Sequence, residues 1–191
     1  MRRHSALVAG AIALGALVSQ TADAHLLGAH GGVLAGFTHP FLGLDHVLAM
    51  LAVGLWAAQM GGRALWAVPL TFIATLAGGA WLGNAGVTLP AVEAGIAASV
   101  LVFGLLVALA VRFPLAVGML LTGAFALFHG HAHGTELPAM ASPLAYAGGF
   151  VVATGLLHLT GVALASAFHA RSLRVAGACV AAAGALIVAG L

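Results

Sequence analysis

One apolar stretch of the chain carries polar side chains of a kind that membrane helices rarely contain. Residues Gly32–Met60 have the sequence GVLAGFTHPFLGLDHVLAMLAVGLWAAQM, in which His39, Asp45 and His46 lie within a run long enough to cross a bilayer. Inserting an aspartate at the centre of a membrane helix costs roughly 2.5–3.5 kcal/mol. A bound cation would offset that cost, so this stretch predicts a membrane span with a metal-related role.

The composition of the whole chain indicates a helical membrane protein. Of its 191 residues, 63% are hydrophobic and only 5% are charged, and the mean hydropathy is +1.16. Apolar segments of membrane length recur throughout, which leaves no room for a separate soluble domain. The formal charge of +2 comes from scattered arginines, so we expect no nucleic-acid partner. A single cysteine permits neither a disulfide within the chain nor a cysteine-based metal cage.

The first 24 residues have the pattern of a secretory signal peptide. Arg2 and Arg3 form a basic start, Ser5–Val18 is apolar, and Ala22–Ala24 has the small-x-small form of a cleavage site. We therefore expect cleavage after Ala24, which makes His25 the mature N-terminus. The alternative is an uncleaved first helix with the same orientation.

Residues 25–191 are predicted to form one transmembrane permease domain with six spans. The predicted spans are Gly32–Met60, Ala64–Gly83, Leu89–Val111, Pro114–His133, Pro143–Phe168 and Ser172–Leu191. The arginines of this domain all fall in alternate connections; they are Arg63, Arg112, Arg171 and Arg174. Because positive residues favour the cytoplasmic side, both mature termini are predicted to be periplasmic. The expected fold class is an all-α bundle of six membrane helices.

A second polar cluster, FHGHAHGTE at Phe128–Glu136, closes the fourth predicted span. His129 and His133 are four residues apart and share one helix face, whereas His131 points elsewhere. Since the first and fourth spans run in opposite directions, their polar groups should meet in the outer half or the middle of the membrane. His131 and Glu136 could instead belong to a solvated loop.

Together the clusters predict a transition-metal site, because imidazole and carboxylate donors suit Ni²⁺, Zn²⁺, Cu²⁺ or Co²⁺. His39, His46 and Met50 are seven and four residues apart, which predicts that they share one face of a helix. The predicted metal ligands are His39, Asp45, His46, His129, His133 and Glu136. The further candidates are His25, His30, Met50, Glu93, His131 and His158.

Several of these candidates have simpler explanations. Asp45 could orient the His46 ring without binding the metal itself. His158 could hydrogen-bond a backbone carbonyl, and Met50 could serve only in packing. Glu93 could be a helix N-terminal charge that the helix dipole favours.

The pattern HPFLGLDHVLAM at His39–Met50, followed by FHGHAHGTE at Phe128–Glu136, resembles the HupE/UreJ family. The resemblance implies a bacterial inner-membrane permease for nickel, or sometimes cobalt, associated with hydrogenase or urease. It implies that the functional residues include His39, Asp45, His46, His129 and Glu136. The residues alone predict only a divalent metal in a six-helix bundle, and nickel is what the family adds.

Three functions compete on the sequence. The first is secondary transport or facilitated uptake of Ni²⁺, with Co²⁺, Cu²⁺ or Zn²⁺ as other cargoes and no permanently bound cofactor. The sequence has no G-x-x-x-x-G-K-[ST] loop for ATP. The second is an intramembrane zinc hydrolase, although H-E-x-x-H and G-x-S-x-G are both missing, so we expect no enzyme. The third is a metal-sensing or chaperone subunit. The expected partners are the metal ion and the lipid bilayer, and homo-oligomerisation stays open.

The mature N-terminus gives a separate hypothesis. After cleavage, the α-amine and the imidazole of His25 could chelate one metal ion together, with His30 close enough to add a ligand. This end would then capture metal and deliver it to His39 and His46. The alternative is a mobile polar tail without a role in binding.

Overall fold

The computed structural model describes residues 32–137 and 142–191, and in these ranges every regular element is a helix. Helix α1 is Val33–Thr38 and continues as a 3-10 turn over His39–Phe41; it is followed by α2 (Leu44–Met60), α3 (Ala64–Asn84), α4 (Val92–Leu109), α5 (Leu115–Thr135), α6 (Pro143–Ala167) and α7 (Ala170–Val188). The predicted signal peptide, His25 and His30 lie outside the described residues.

Helices α3 to α7 are the five that are long and apolar enough to cross a membrane. The segment predicted as the first span differs, because Val33–Phe41 and Leu44–Met60 meet at an angle of 85°. The bundle has six spans if this bent pair counts as one. The segment predicted as one span over Gly32–Met60 is thus a bent pair of helices, and the all-helical class with several apolar helices is confirmed.

The bend has a local cause in the sequence. Pro40 has no backbone N–H to donate and stands in the 3-10 turn, which ends with the Leu42 amide bonded to the His39 carbonyl. Gly43 then adopts an extended conformation, with φ −105° and ψ 117°, and its carbonyl accepts the first hydrogen bond of α2. The α-helical bonding pattern is thus interrupted at two places within four residues.

Two helix pairs form the most extensive contacts of the bundle, and both depend on glycine. In the parallel pair α3–α5, a Cβ atom on Gly130 would lie only 2.0 Å from the Leu76 carbonyl oxygen. In the antiparallel pair α4–α7, a Cβ atom on Gly184 would lie 2.3 Å from the Leu101 amide nitrogen. Because only glycine fits at these positions, the backbones of each pair are in direct contact.

The bundle has two chemically different ends. At one end, the Trp56 indole donates to the Val111 carbonyl and the Arg174 side chain donates to the Ala108 carbonyl, both at 2.8 Å. We call this the arginine end, because it contains Arg63, Arg112, Arg171 and Arg174. The opposite end, where α2 begins and α5 ends, contains Asp45, His46, His133 and Glu136, and we call it the histidine end.

Candidate metal centre

The most metal-like group of side chains at the histidine end consists of His39, His133 and Glu136, which we call the carboxylate cluster. One ligand atom from each residue lies within 4.8 Å of the others. The His39 Nε2 atom donates to Glu136 Oε2 at 3.1 Å, since an ionised carboxylate can only accept. His133 is 3% exposed, and neither of its ring nitrogens has a hydrogen-bond partner among the described residues. The His39 imidazole and the Glu136 carboxylate therefore lie beside the unsatisfied buried imidazole of His133.

The helix break places His39 in this cluster. Helix α1 packs closely against α6, where a Cβ atom on Gly36 would overlap the Tyr146 carbonyl. The 3-10 turn that follows directs His39 to the end of α5, with ring centroids 4.7 Å from His133 and 5.7 Å from Tyr146. The prediction that His39, His46 and Met50 share a single helix face is wrong. It is the bend that brings the histidines together.

His46 lies next to this cluster, and Asp45 holds its orientation. The His46 Nδ1 atom donates to Asp45 Oδ1 at 2.7 Å, and the same oxygen accepts from the His46 backbone amide. The His46 ring lies 4.4 Å from the His133 ring and 4.7 Å from the His129 ring, while its Nε2 is buried and has no partner in residues 32–137 and 142–191. This is the geometry of a carboxylate that fixes the tautomer of an imidazole and leaves the other nitrogen free to bind a metal.

His129 lies deeper along α5, and Ser99 of α4 fixes its orientation. The Ser99 hydroxyl donates its only hydrogen to the Ile96 carbonyl at 2.6 Å, so its oxygen accepts from His129 Nε2 at 2.8 Å. The remaining nitrogen, Nδ1, is buried without a partner. Four imidazoles, those of His39, His133, His46 and His129, thus follow one another from the bundle surface toward its interior.

The remaining candidates lie in other surroundings. His158 is buried in α6, and its Nδ1 donates to the Met50 carbonyl at 2.8 Å, while the Met50 side chain is fully buried in the apolar core. The His131 Nε2 atom donates to the Val87 carbonyl at 2.7 Å, so this ring faces the α3–α4 connection, whereas the spacing predicted only that it lies off the face of His129 and His133. Glu93 is exposed in the first turn of α4.

The environment of Glu136 keeps its carboxyl group ionised. The hydrogen bond from His39 lowers the pKa of Glu136 below its ordinary value, against the smaller effect of partial burial, which raises it. A cavity of about 260 Å³ between α3, α5 and α6 reaches the neighbouring His133, beside Tyr146 and Phe150. The cluster therefore combines an anionic oxygen with imidazole nitrogens and an adjoining space.

Sequence reasoning missed three residues that shape the site, and two of them leave a signal. Ser99 is the one hydroxyl residue of α4, and Tyr146 is the one tyrosine of the chain. Phe72 of α3 packs against both His129 and His158, with ring centroids 5.6 and 5.0 Å away. Nothing in the sequence distinguishes Phe72 from the other apolar residues around it.

Taken together, the helices and the buried imidazoles define a multi-pass membrane protein with a histidine- and carboxylate-containing centre at one end of its bundle. The chain belongs to the HupE/UreJ family: the sequence profile described as HupE / UreJ protein matches residues 12–187. Protein HupE from Rhizobium leguminosarum bv. viciae is 49% identical to it over 174 residues, which cover 88% of this chain and 91% of the relative. No solved structure matches the chain. The family contains transport and accessory proteins and no known enzyme.

Proposed function

We propose that the protein carries Ni²⁺ inward across the bacterial inner membrane, with the carboxylate cluster as its first binding site. The observation that carries this proposal is His133, whose two ring nitrogens are buried without partners beside the ionised Glu136. Such an unsatisfied group destabilises a fold unless something else binds it. A divalent cation with a preference for nitrogen and carboxylate donors fits this position.

Binding at this site would displace the proton that His39 Nε2 donates to Glu136. In a neutral ring this proton moves to Nδ1, and in a protonated ring it passes to water, so that Nε2 can bind a metal. The Glu136 carboxylate then pairs with the cation in place of that proton. His46, oriented by Asp45, and then His129 provide the next free nitrogens. Ligands that follow one another in this way allow the ion to leave each position.

The proposed orientation follows from the arginine end. Its four arginines favour the cytoplasmic side, so the histidine end faces the periplasm. A dication moving inward then gains ~2.3 kcal/mol per charge per 100 mV of membrane potential. Residues 1–24 are proposed to be a cleaved signal peptide, and His25 would then begin the mature chain on the periplasmic side.

Uptake of ⁶³Ni²⁺ into proteoliposomes that contain the purified full chain tests the proposal. We expect His133→Ala and Glu136→Gln each to lower the initial rate by about 100-fold, since each removes one metal donor. Thr135→Val is the matched control, because the Thr135 side chain is exposed between them and bonds back to the Ala132 carbonyl. Competition with unlabelled Co²⁺, Cu²⁺ and Zn²⁺ measures the selectivity.

The outcomes separate the competing functions. Wild-type protein that binds Ni²⁺ in detergent without transporting it would favour an accessory or sensing role. Uptake that is equal in wild type and both cluster variants would show that the carboxylate cluster is not the site.

A further inference from the structure

We propose that the protein has a second cation-binding position, formed by the imidazole of His158 and the hydroxyl group of Thr154 on α6. We call it the central site. It rests on the proposed function, because the ion that would bind there is the divalent metal ion that leaves the histidine end. No part of the carboxylate cluster contributes to it.

The orientation of His158 is fixed in a form that leaves one nitrogen free. A backbone carbonyl can only accept, so His158 Nδ1 carries the ring proton and donates it to Met50 at 2.8 Å. In the neutral ring, Nε2 then has an unshared lone pair, and this atom is buried without a partner among the described residues. Histidines that bind metals have the same arrangement, with one nitrogen held by a carbonyl or carboxylate and the other directed at the metal.

Thr154 provides a second unsatisfied donor atom on the same helix face. It lies four residues before His158, and its hydroxyl oxygen is fully buried without a partner among the described residues. Two other threonines of the bundle, Thr71 and Thr160, bond to the carbonyl four residues earlier, at 2.7 and 2.8 Å, whereas the buried Thr122 hydroxyl also has no partner in that part of the chain. Thr154 makes no such bond, so its hydroxyl group stays available to a ligand.

The position of His158 places this pair on the way from the histidine end to the arginine end. His158 lies nine residues before the last residue of α6, Ala167, which is about 14 Å at 1.5 Å per residue. That depth is close to the middle of a hydrocarbon core about 30 Å thick. The Phe72 ring packs against both His158 and His129, so one aromatic side chain links the central site to the deepest of the four imidazoles at the histidine end.

A purely structural role for His158 is the alternative, in which the residue only ties α6 to the Met50 carbonyl. The variant His158→Asn separates the two roles. The asparagine amide can donate to the Met50 carbonyl from the position of Nδ1, but it has no atom at the position of Nε2. Thr154→Val removes the unpartnered hydroxyl at nearly constant volume. Thr160→Val is its matched control, because the Thr160 hydroxyl is exposed and already bonded.

The experiment compares these full-length variants by ⁶³Ni²⁺ uptake into proteoliposomes and by equilibrium dialysis of Ni²⁺ in detergent. We expect His158→Asn to lower the maximal uptake rate by about tenfold or more, and Thr154→Val to lower it less. The dissociation constant for Ni²⁺ at the carboxylate cluster should stay within about twofold of wild type in both variants. Thr160→Val should transport like wild type.

Wild-type uptake rates in His158→Asn, or equal rates in Thr154→Val and Thr160→Val, would overturn the central site. Should His158→Asn fail to fold, as judged by size-exclusion chromatography, the comparison of uptake in Thr154→Val and Thr160→Val tests the central site by itself. A failure of the proposed function looks different: the wild-type protein itself then takes up no Ni²⁺, whereas a failure of the central site alone leaves wild-type uptake intact.

Discussion

The helix pairs α3–α5 and α4–α7 pack in the same way but differ in the polar side chains that they bury. Each brings two backbones into contact through glycine, with Gly130 against Leu76 in one pair and Gly184 against Leu101 in the other. Only the first pair contains buried histidines, all of them on α5. Small residues at a helix contact therefore indicate close packing and give no information about function.

The difference between the pairs explains the spacing in FHGHAHG. Gly130 and Gly134 are four residues apart and face α3, where added Cβ atoms would lie 2.0 and 2.1 Å from backbone oxygens. His129 and His133 form a second stripe with the same spacing, rotated by one residue, and they contact His46 of α2. The glycines of this segment thus hold α5 against α3, while its histidines direct their imidazoles toward α2.

The largest expected difference between the pairs comes from removing a buried side chain from each. His129→Ala should lower ⁶³Ni²⁺ uptake by about 100-fold, because it removes a free buried nitrogen and leaves His46 without its neighbour. Val180→Ala, in the α4–α7 pair, should affect only stability, since Val180 lies in the apolar core. Uptake is measured per folded protein in proteoliposomes. Equal rates in the two variants would mean that the histidines of α5 have no special role.

A smaller effect is expected from filling the glycine contacts. Gly130→Ala and Gly184→Ala should both destabilise the bundle, by about 1–3 kcal/mol each, because each new methyl group meets a backbone. Only Gly130→Ala should also lower Ni²⁺ uptake, by about tenfold, since separating α3 from α5 displaces His129 and His133.

Thermal unfolding in detergent measures the loss of stability in both variants, and ⁶³Ni²⁺ uptake by the folded protein measures the loss of transport. If Gly184→Ala lowered transport as strongly as Gly130→Ala, the two pairs would be functionally equivalent.

The sequence predicted the regular parts of this molecule better than its irregular ones. Helices α3 to α7 fall within a few residues of their predicted spans, because apolar runs of membrane length determine them. An alternative role for Asp45, which is to orient the His46 ring, could also be predicted, because the two residues are adjacent and their contact is local.

What could not be predicted depends on contacts between distant segments. Pro40 and Gly43 interrupt the helix locally, but the 85° angle also places α1 against α6, and no pattern within one segment indicates that contact. The bonds from His129 to Ser99 and from His158 to Met50 join residues 30 and 108 positions apart. Periodicity identifies which residues share a helix face, but it does not identify the helix that lies opposite.

The smallest expected effect concerns pH, and it again separates the two pairs. Uptake should fall when the pH is lowered from about 7.5 to about 5.5, a range around the reference pKa of histidine, because protons compete with the metal ion for imidazole nitrogens. Glu136 should not contribute to this fall. Its lowered pKa keeps the carboxylate charged throughout the range, and the charge is lost only below the ordinary pKa of a carboxyl group.

Initial rates of ⁶³Ni²⁺ uptake at equal pH on both sides of the proteoliposome, with the membrane potential held constant, test this expectation. The residual uptake of Glu136→Gln should fall at the same pH as that of wild type, although from a lower level. Gly184→Ala should follow the wild-type profile in both level and midpoint, because the α4–α7 contact that it disturbs contains no histidine. A flat profile in wild type would mean that no imidazole needed for uptake takes up a proton in this range. A midpoint that moves in Glu136→Gln would mean that the Glu136 carboxylate, directly or through its hydrogen bond with His39, affects the pH at which uptake falls.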